Sequence, residues 1–232
     1  MIKNIFFDMD GTLLNMDEEE FVKVYYGLLA KKLAELGYEN AKELAKIILG
    51  SSKIMAANDG KKLNSEVFFD YMKKTLNFTK EELEAPHQNF YETDFNKAQV
   101  TTSKIEGMDA AIKTLKAKGI RLFLTTNPMF PKVAIVERLH WAGLDENDFD
   151  YIPSYDTCRF AKPNPGYYED VIKNFNLNPS ETLLVGNDYE EDIIPAFKLG
   201  LRSYYLTQDN IDKKVDLVGT HKDFMEFVNG IK

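Results

Sequence analysis

Asp8 and Asp10 flank Met9 and are followed by Gly11 and Thr12, directly after the apolar run Ile2–Phe7. Residues two apart project to the same side of an extended chain, so both carboxylates address one site. Gly11 permits the tight turn that carries the backbone away from them. Ligands of open α/β sheets bind at the carboxyl ends of strands, where this pair would lie. A turn rich in Asp and Gly is also common, so the pair alone leaves a functional and a purely structural role both open.

Three further clusters fall after an expected strand or before an expected helix. Thr125-Thr126-Asn127-Pro128 ends the run Ile120–Leu124 with a hydroxyl and an amide, although a strand-to-helix turn with a cap would use the same residues. Lys162-Pro163-Asn164-Pro165 sets a lysine just before a helix N-terminus, where anions are favoured. A lone lysine in a loop is ordinarily just solvated. Gly186-Asn187-Asp188-Tyr189-Glu190-Glu191-Asp192 gathers acids after the most apolar run, as an acidic first helical turn also would.

Taken together and in this order, the four clusters resemble the haloacid dehalogenase-like hydrolase superfamily. The resemblance covers both ends of the chain, and the stretch between Met16 and Thr102 matches that family's helical cap in position and character. It implies a Mg²⁺-dependent phosphatase in which Asp8 is the nucleophile and passes through an aspartyl-phosphate. Asp10 would protonate the leaving alkoxide and then deprotonate the hydrolytic water. Thr126 and the Asn127 N–H would hold phosphoryl oxygens, and Lys162 would neutralise charge on nucleophile and substrate. Mg²⁺ would take the Asp8 carboxylate, the Asp10 main-chain carbonyl and the acidic loop, all hard oxygen donors. The family often has Gly-Asp-Ser at the last motif where this chain has Gly-Asn-Asp, so Asp188 is expected as the direct ligand and Asn187 in support. Asp192 is expected to bind through water or to orient Lys162.

The family also contains phosphosugar mutases and haloacid dehalogenases. Dehalogenases typically lack the second aspartate, which sets Asp10 against that reading. A phospho-accepting signalling protein or a non-catalytic binding protein is the alternative of a different class. Receiver domains likewise combine a strand-end Asp, Mg²⁺, a hydroxyl and a lysine, but on a middle strand of a shorter chain. The expected partner is a small phosphorylated metabolite of unspecified identity, with oligomeric state left open.

Other residues carry weaker signals. Gly50-Ser51-Ser52-Lys53 is expected as a loop between cap helices, with Lys53 a possible substrate contact. His87, His140 and His221 lack metal-ligand spacing and are expected in packing or surface roles. The lone Cys158 has no motif around it and is expected as a filler near a strand end.

The elements that must position these groups follow from periodicity. Ile2–Phe7, Ile120–Leu124, Thr182–Gly186 and Arg202–Leu206 are strand-length and rich in β-branched or aromatic residues, as in strands buried on both faces; Phe149–Ile152 is a weaker run. Met108, Ala111, Ile112 and Leu115 fall at helical spacing before Gly119, and Asn164-Pro165 opens a helix to about Phe175. Alternation of strands and helices predicts an α/β, Rossmann-like parallel sheet with right-handed crossovers. Between Met16 and Thr102 strand signals nearly vanish. Helices are expected there over Phe21–Leu36, near Ala41–Leu49, near Glu66–Leu76, and from Thr79 with a kink at Pro86. The expected organisation is a core of residues 1–15 and 103–232 with a four-helix cap over 16–102.

Composition narrows the function classes. The 232 residues are 44% hydrophobic, enough for a sizeable core. The net charge of −8 and dispersed basic residues argue against a nucleic-acid binder. No apolar run approaches the ~20 residues of a membrane span. One cysteine fits a reducing compartment, and the N-terminus lacks the pattern of a secretory signal, so cytoplasmic residence is the default expectation.

Overall fold

The computed structural model describes residues 1–209 and 211–231. Its main sheet has five parallel strands: β1 (Asn4–Phe7), β4 (Arg121–Leu124), β5 (Thr182–Gly186), β6 (Arg202–Leu206) and β7 (Leu217–Gly219). Their spatial order is β4-β1-β5-β6-β7. The chain therefore runs from β1 to its neighbour on one side, and later returns to its neighbour on the other. The carboxyl end of β1 lies at that reversal, the usual place for a ligand crevice.

Alternate residues of the central strands feed two cores. Ile5, Phe7, Leu122, Leu124, Leu183 and Val185 point to one face; Phe6, Phe123 and Leu184 point to the other. This period of two, apolar on both faces, is why the strands read as continuous hydrophobic runs. On the first face packs α5 (Met108–Ala117), through Met108, Ala111, Ile112 and Leu115. On the second packs α7 (Pro165–Asn174), with Tyr167, Tyr168 and Val171. Asn164 caps α7 by accepting from the Gly166 N–H at 2.9 Å, with Pro165 at the first position.

The weak run Phe149–Ile152 does not form a strand. It makes one parallel bridge, Tyr151 to Phe123. The Asp150 carboxylate accepts from the Leu122 N–H at 3.0 Å, taking a ladder position with a side chain, and Pro153 follows two residues after Tyr151.

Leaving β1, the chain forms a short antiparallel ribbon, β2 (Leu14–Met16) with β3 (Thr102–Lys104), in which Met16 pairs Thr102. Between these strands lie α1 (Glu18–Glu35), α2 (Ala41–Ala56), α3 (Asn64–Leu76) and α4 (Lys80–Thr93). Thr79 and Glu82 form the capping box that starts α4, and the helix continues through Pro86 to Thr93. Gly50–Lys53 lies inside α2, not in a loop. Ser51 and Ser52 turn their hydroxyls back to the carbonyls of Ile48 and Leu49, which keeps a Gly-Ser-Ser stretch helical. The first-turn amides of α3 dock on the sheet-bearing part of the chain: the Asn64 N–H donates to Cys158 O (2.8 Å) and the Ser65 N–H to Tyr155 O (2.9 Å). These bonds satisfy helix-end donors that have no partner within the helix. Cys158 is buried, with its sulfur 3.1 Å from the Tyr151 hydroxyl. Among the described residues, no helix is long and apolar enough to cross a membrane.

Candidate active site

Because β1 pairs with both β4 and β5, three loops emerge side by side at one sheet edge. The ladder persists to its last residues: the Asp8 N–H donates to Val185 O (3.0 Å) and the Thr125 N–H to Phe7 O (2.7 Å). The Asp8 backbone is thereby fixed by the sheet and not by its own turn. Around it opens a polar cleft of about 290 Å³, lined among others by Asp8, Asp10, Lys162, Asn187, Asp188 and Asp192.

Lys162 enters this cleft from the loop before α7, following which the Lys162–Pro163 bond is cis. Its Nζ lies 2.7 Å from Asp8 Oδ1 and 2.6 Å from Asp192 Oδ1, and it is almost wholly buried. Burial alone would lower the lysine pKa, but the Asp192 and Asp8 carboxylates beside it hold it above its ordinary value. Burial pushes the Asp192 carboxyl up, against the pull of Lys162. Asp192 is itself held: the Tyr168 hydroxyl donates to Oδ1 at 3.0 Å and the Asp188 N–H to Oδ2 at 3.2 Å. Gly186 makes room for it, since a Cβ there would sit 2.1 Å from Asp192 Oδ2.

Asp10 has a different environment. Arg138, from α6 (Lys132–Trp141), places Nη2 3.2 Å from Asp10 Oδ2 and 3.2 Å from Thr126 Oγ1. The guanidinium is buried against the Phe130 ring, 5.1 Å from its centroid, and its Nε has no partner. Asp10 Oδ1 is likewise buried without a partner. Burial raises the Asp10 carboxyl above the usual range, with Arg138 opposing and the Asp8 charge reinforcing. Thr126 Oγ1 accepts from Arg138, so its own proton remains available, and the Tyr167 hydroxyl fixes the Thr126 carbonyl at 2.8 Å. Asn127 joins two loops: Oδ1 accepts from the Lys162 N–H (3.3 Å) and Nδ2 donates to Glu191 Oε2 (3.3 Å). Thr125, by contrast, turns its hydroxyl into the protein interior, where it finds no partner.

One end of the Asn187 amide lies 2.9 Å from Asp10 O, 3.3 Å from Asp8 Oδ2 and 3.0 Å from Thr12 Oγ1. With nitrogen turned inward, the amide donates to all three. With oxygen turned inward, it accepts from Thr12 and joins Asp8 Oδ2 and Asp10 O as a third converging acceptor. Neighbouring ligands of an octahedral Mg²⁺ with bonds of about 2.1 Å stand about 3.0 Å apart. The separations of 2.9 and 3.3 Å bracket that figure, so a carboxylate, a carbonyl and an amide oxygen fit the ion. Among the described residues no group of three His, Cys, Asp or Glu side chains converges as a metal site. Gly11 is required twice here: its φ is +80°, and a Cβ would sit 2.3 Å from Asn187 Nδ2.

The structure thus brings together Asp8, Asp10, Thr126, Asn127, Lys162, Asn187 and Asp192. Of the two residues weighed at the last motif, it sets the Asn187 amide beside Asp8 and Asp10. Asp188 Oδ1 accepts from the N–H groups of Glu190 and Glu191, both at 2.8 Å, because it caps the turn that follows; its neighbour's amide occupies the ring beside Asp8. Lys53 is exposed on α2, at the wall of a second cavity adjoining the first. Arg138 was not foreseen. Its signal lay in the helix stripe Ala134, Ile135, Arg138, Leu139, where one cation interrupts an otherwise buried apolar face.

Comparison with known proteins adds a family. The sequence model of the haloacid dehalogenase-like hydrolases matches residues 2–200. The glyceraldehyde 3-phosphate phosphatase of Methanothermobacter thermautotrophicus is 26% identical over 220 residues, covering 94% of this chain and 91% of that protein. Among solved structures, a HAD phosphatase from Thermococcus onnurineus superposes with a TM-score of 0.62 at 20% identity, covering 99% of both chains. A 2-haloacid dehalogenase from Pseudomonas syringae pv. Tomato superposes equally well, with a TM-score of 0.63 at 17% identity and 99% coverage of each. The fold is therefore shared by enzymes of both chemistries, and the side chains must discriminate between them.

Proposed function

The chain belongs to the haloacid dehalogenase-like hydrolase family, and from that premise we propose that it is a Mg²⁺-dependent phosphatase of small phosphorylated metabolites. The observation that carries this reading is the unequal pair at the end of β1. Asp8 is salt-bridged to Lys162, whereas Asp10, two residues on, has a carboxyl raised by burial and an unpartnered oxygen. A nucleophile and a proton donor side by side need such unequal surroundings.

Asp8 attacks phosphorus as the ester P–O bond breaks, and the leaving oxygen takes the proton of Asp10. Asp10, now a carboxylate, accepts a proton from water as that water attacks the aspartyl-phosphate. The P–O bond to Asp8 then breaks, releasing inorganic phosphate and restoring both residues. Lys162 offsets charge on the nucleophile and on the transferred group, and Thr126 Oγ–H and the Asn127 N–H hold phosphoryl oxygens. Asp192 positions Lys162, and Arg138 positions Asp10 and Thr126. Asp8, the Asp10 carbonyl and Asn187 Oδ1 would hold Mg²⁺, with Asp188 at the rim; the ion supplies charge neutralisation at the phosphoryl oxygens. Carbon–halogen displacement uses no proton donor to an alkoxide, so the Asp10–Arg138 arrangement has no task in it.

The helices between Met16 and Thr102 are proposed to act as a cap that excludes bulk water during the reaction. Purified protein is expected to release phosphate from an aryl phosphate with Mg²⁺, to stop on chelation, and to lose on the order of 10³-fold or more of its rate in Asp8→Asn. A wild-type rate equal to that of the variant would refute the reading.

A further inference from the structure

The polar cleft does not end at Asp10. A second cavity of about 360 Å³ adjoins it and shares Asp10, Thr126 and Asn127 with it. This cavity is walled by residues of all four helices, whereas Lys162 and Asn187 line only the cleft. A phosphate bound at Asp8 would point its ester oxygen toward Asp10, the proton donor, and the rest of the substrate would enter this space. The wall chemistry therefore describes the leaving group.

That wall is aromatic. Phe21, Tyr25, Phe68, Tyr91, Phe130 and Tyr155 contribute, together with Ile48 and Met55. Its polar atoms are largely engaged with one another. The Tyr25 and Tyr91 hydroxyls share a 2.7 Å bond, and the Ser51 and Ser52 hydroxyls donate to their own helix. His87 stands against the Phe68 ring (centroids 5.1 Å apart) and the Tyr91 ring (4.9 Å), with burial depressing its pKa to about 4, so it adds no charge near neutral pH. Of the charged side chains in the lining, Glu18 and Lys53 are exposed, and Arg138 and Asp10, at the mouth shared with the cleft, are paired with each other at 3.2 Å. One phenolic hydrogen of the tyrosine pair, one ring nitrogen of His87 and, at the mouth, the unpartnered Arg138 Nε remain for a ligand.

Such a wall handles two kinds of leaving group very differently. Each sugar hydroxyl brought in would exchange water for an unmatched site, which weakens binding. Each methylene or ring edge would gain by burial. The volume suits a body of one or two rings, or a branched chain of similar bulk. We propose that the substrate of this enzyme is a phosphate monoester of an apolar alcohol, aromatic or branched aliphatic, carrying at most one or two polar atoms, and not a sugar or polyol phosphate. This rests on the phosphatase reading and departs from what the name of the archaeal relative would suggest.

The test holds leaving-group reactivity constant by using primary alkyl esters. Turnover of ethyl, hexyl and phenethyl phosphate is compared with that of glycerol phosphate and a terminal hexose phosphate, at fixed Mg²⁺. kcat/KM is expected to climb from ethyl to hexyl and phenethyl phosphate, and to exceed that of either polyol ester on the order of 100-fold. Phe68→Ala is expected to reduce the ratio of phenethyl to ethyl phosphate at least about tenfold. Equal or better turnover of glycerol or hexose phosphate by the wild-type enzyme would overturn the substrate assignment while leaving the phosphatase intact. Failure to hydrolyse any ester above the Asp8→Asn background would instead overturn the phosphatase reading, and this inference with it.

Discussion

The two adjoining cavities bury polar atoms by opposite means. In the cleft at the strand ends, ionisable groups are buried against one another: Lys162 between Asp8 and Asp192, Arg138 against Asp10 and Thr126. Under the helices, away from the shared mouth, the polar side chains of the wall are mainly phenols, serine hydroxyls and a half-buried imidazole, groups that limit the cost of burial by staying neutral. Burial raises the phenols, Tyr25 to about 12, and lowers His87 to about 4. Matched charges demand fixed geometry, which a ladder running to Asp8 supplies. Neutral aromatic walls demand only shape, which helices can supply with latitude. On the proposed reading, the first part carries the reaction and the second admits the substrate.

The sharpest way to break this contrast is to unmatch the cleft. Lys162→Met leaves two facing carboxylates buried, and is expected to cost about 3–5 kcal/mol of stability in urea denaturation as well as activity. Adding Asp192→Asn should return most of the stability and none of the activity. If Lys162→Met unfolds at the wild-type midpoint, the triad is not matched in the sense argued. Arg138→Met comes next. With the guanidinium gone, burial acts on Asp10 unopposed and its carboxyl rises further. An acid that keeps its proton to higher pH moves the alkaline limb of kcat/KM upward, while kcat falls about tenfold from lost positioning. An alkaline limb that stays in place would show that Asp10 is not the acid.

On the aromatic side the effects are smaller. The His87 pKa is depressed in the folded state, so between its usual 6.5 and about 4 the unfolded chain binds a proton that the folded one refuses. Stability contributed by neutral His87 is complete above pH 6.5 and is lost as pH falls toward 4. The partial exposure of the ring limits the loss to about 1–3 kcal/mol. Thermal melts of wild type and His87→Gln should converge over that window; parallel curves would contradict a neutral aromatic wall. Tyr25→Phe should cost only about 1 kcal/mol, the value of its shared bond with Tyr91.

How much of this was legible in the sequence differs between the same two regions. Asp8, Asp10, Thr126, Asn127, Lys162 and Asp192 were readable because each stands at a strand end or helix start, where local residue order fixes direction. Which of Asn187 and Asp188 lies beside Asp8 turned on which side chain capped the next turn, a matter of backbone angle and not of residue type. Arg138 belongs to a mid-helix stripe and meets Asp10 only through tertiary packing. The aromatic wall was the least legible, since Phe21, Tyr25 and Phe68 sit at the helical spacing of ordinary core. The three-residue strands β2 and β3 were too short for any period to register, and Gly50–Lys53 looked like a loop until the serine hydroxyls bonded back to the helix.

The ribbon of β2 and β3 has a bearing on descent. Met16 and Thr102 are paired partners, so the strand of chain leaving the sheet and the one returning to it stand side by side, roughly 5 Å apart. Everything strung between them can be lengthened, shortened or exchanged wholesale without asking a single residue of the sheet to move. On the proposed reading, a lineage can thus keep its reaction in one part of the polypeptide and vary much of its diet through the other, with Phe130 and Tyr155 as the fixed remainder of the wall.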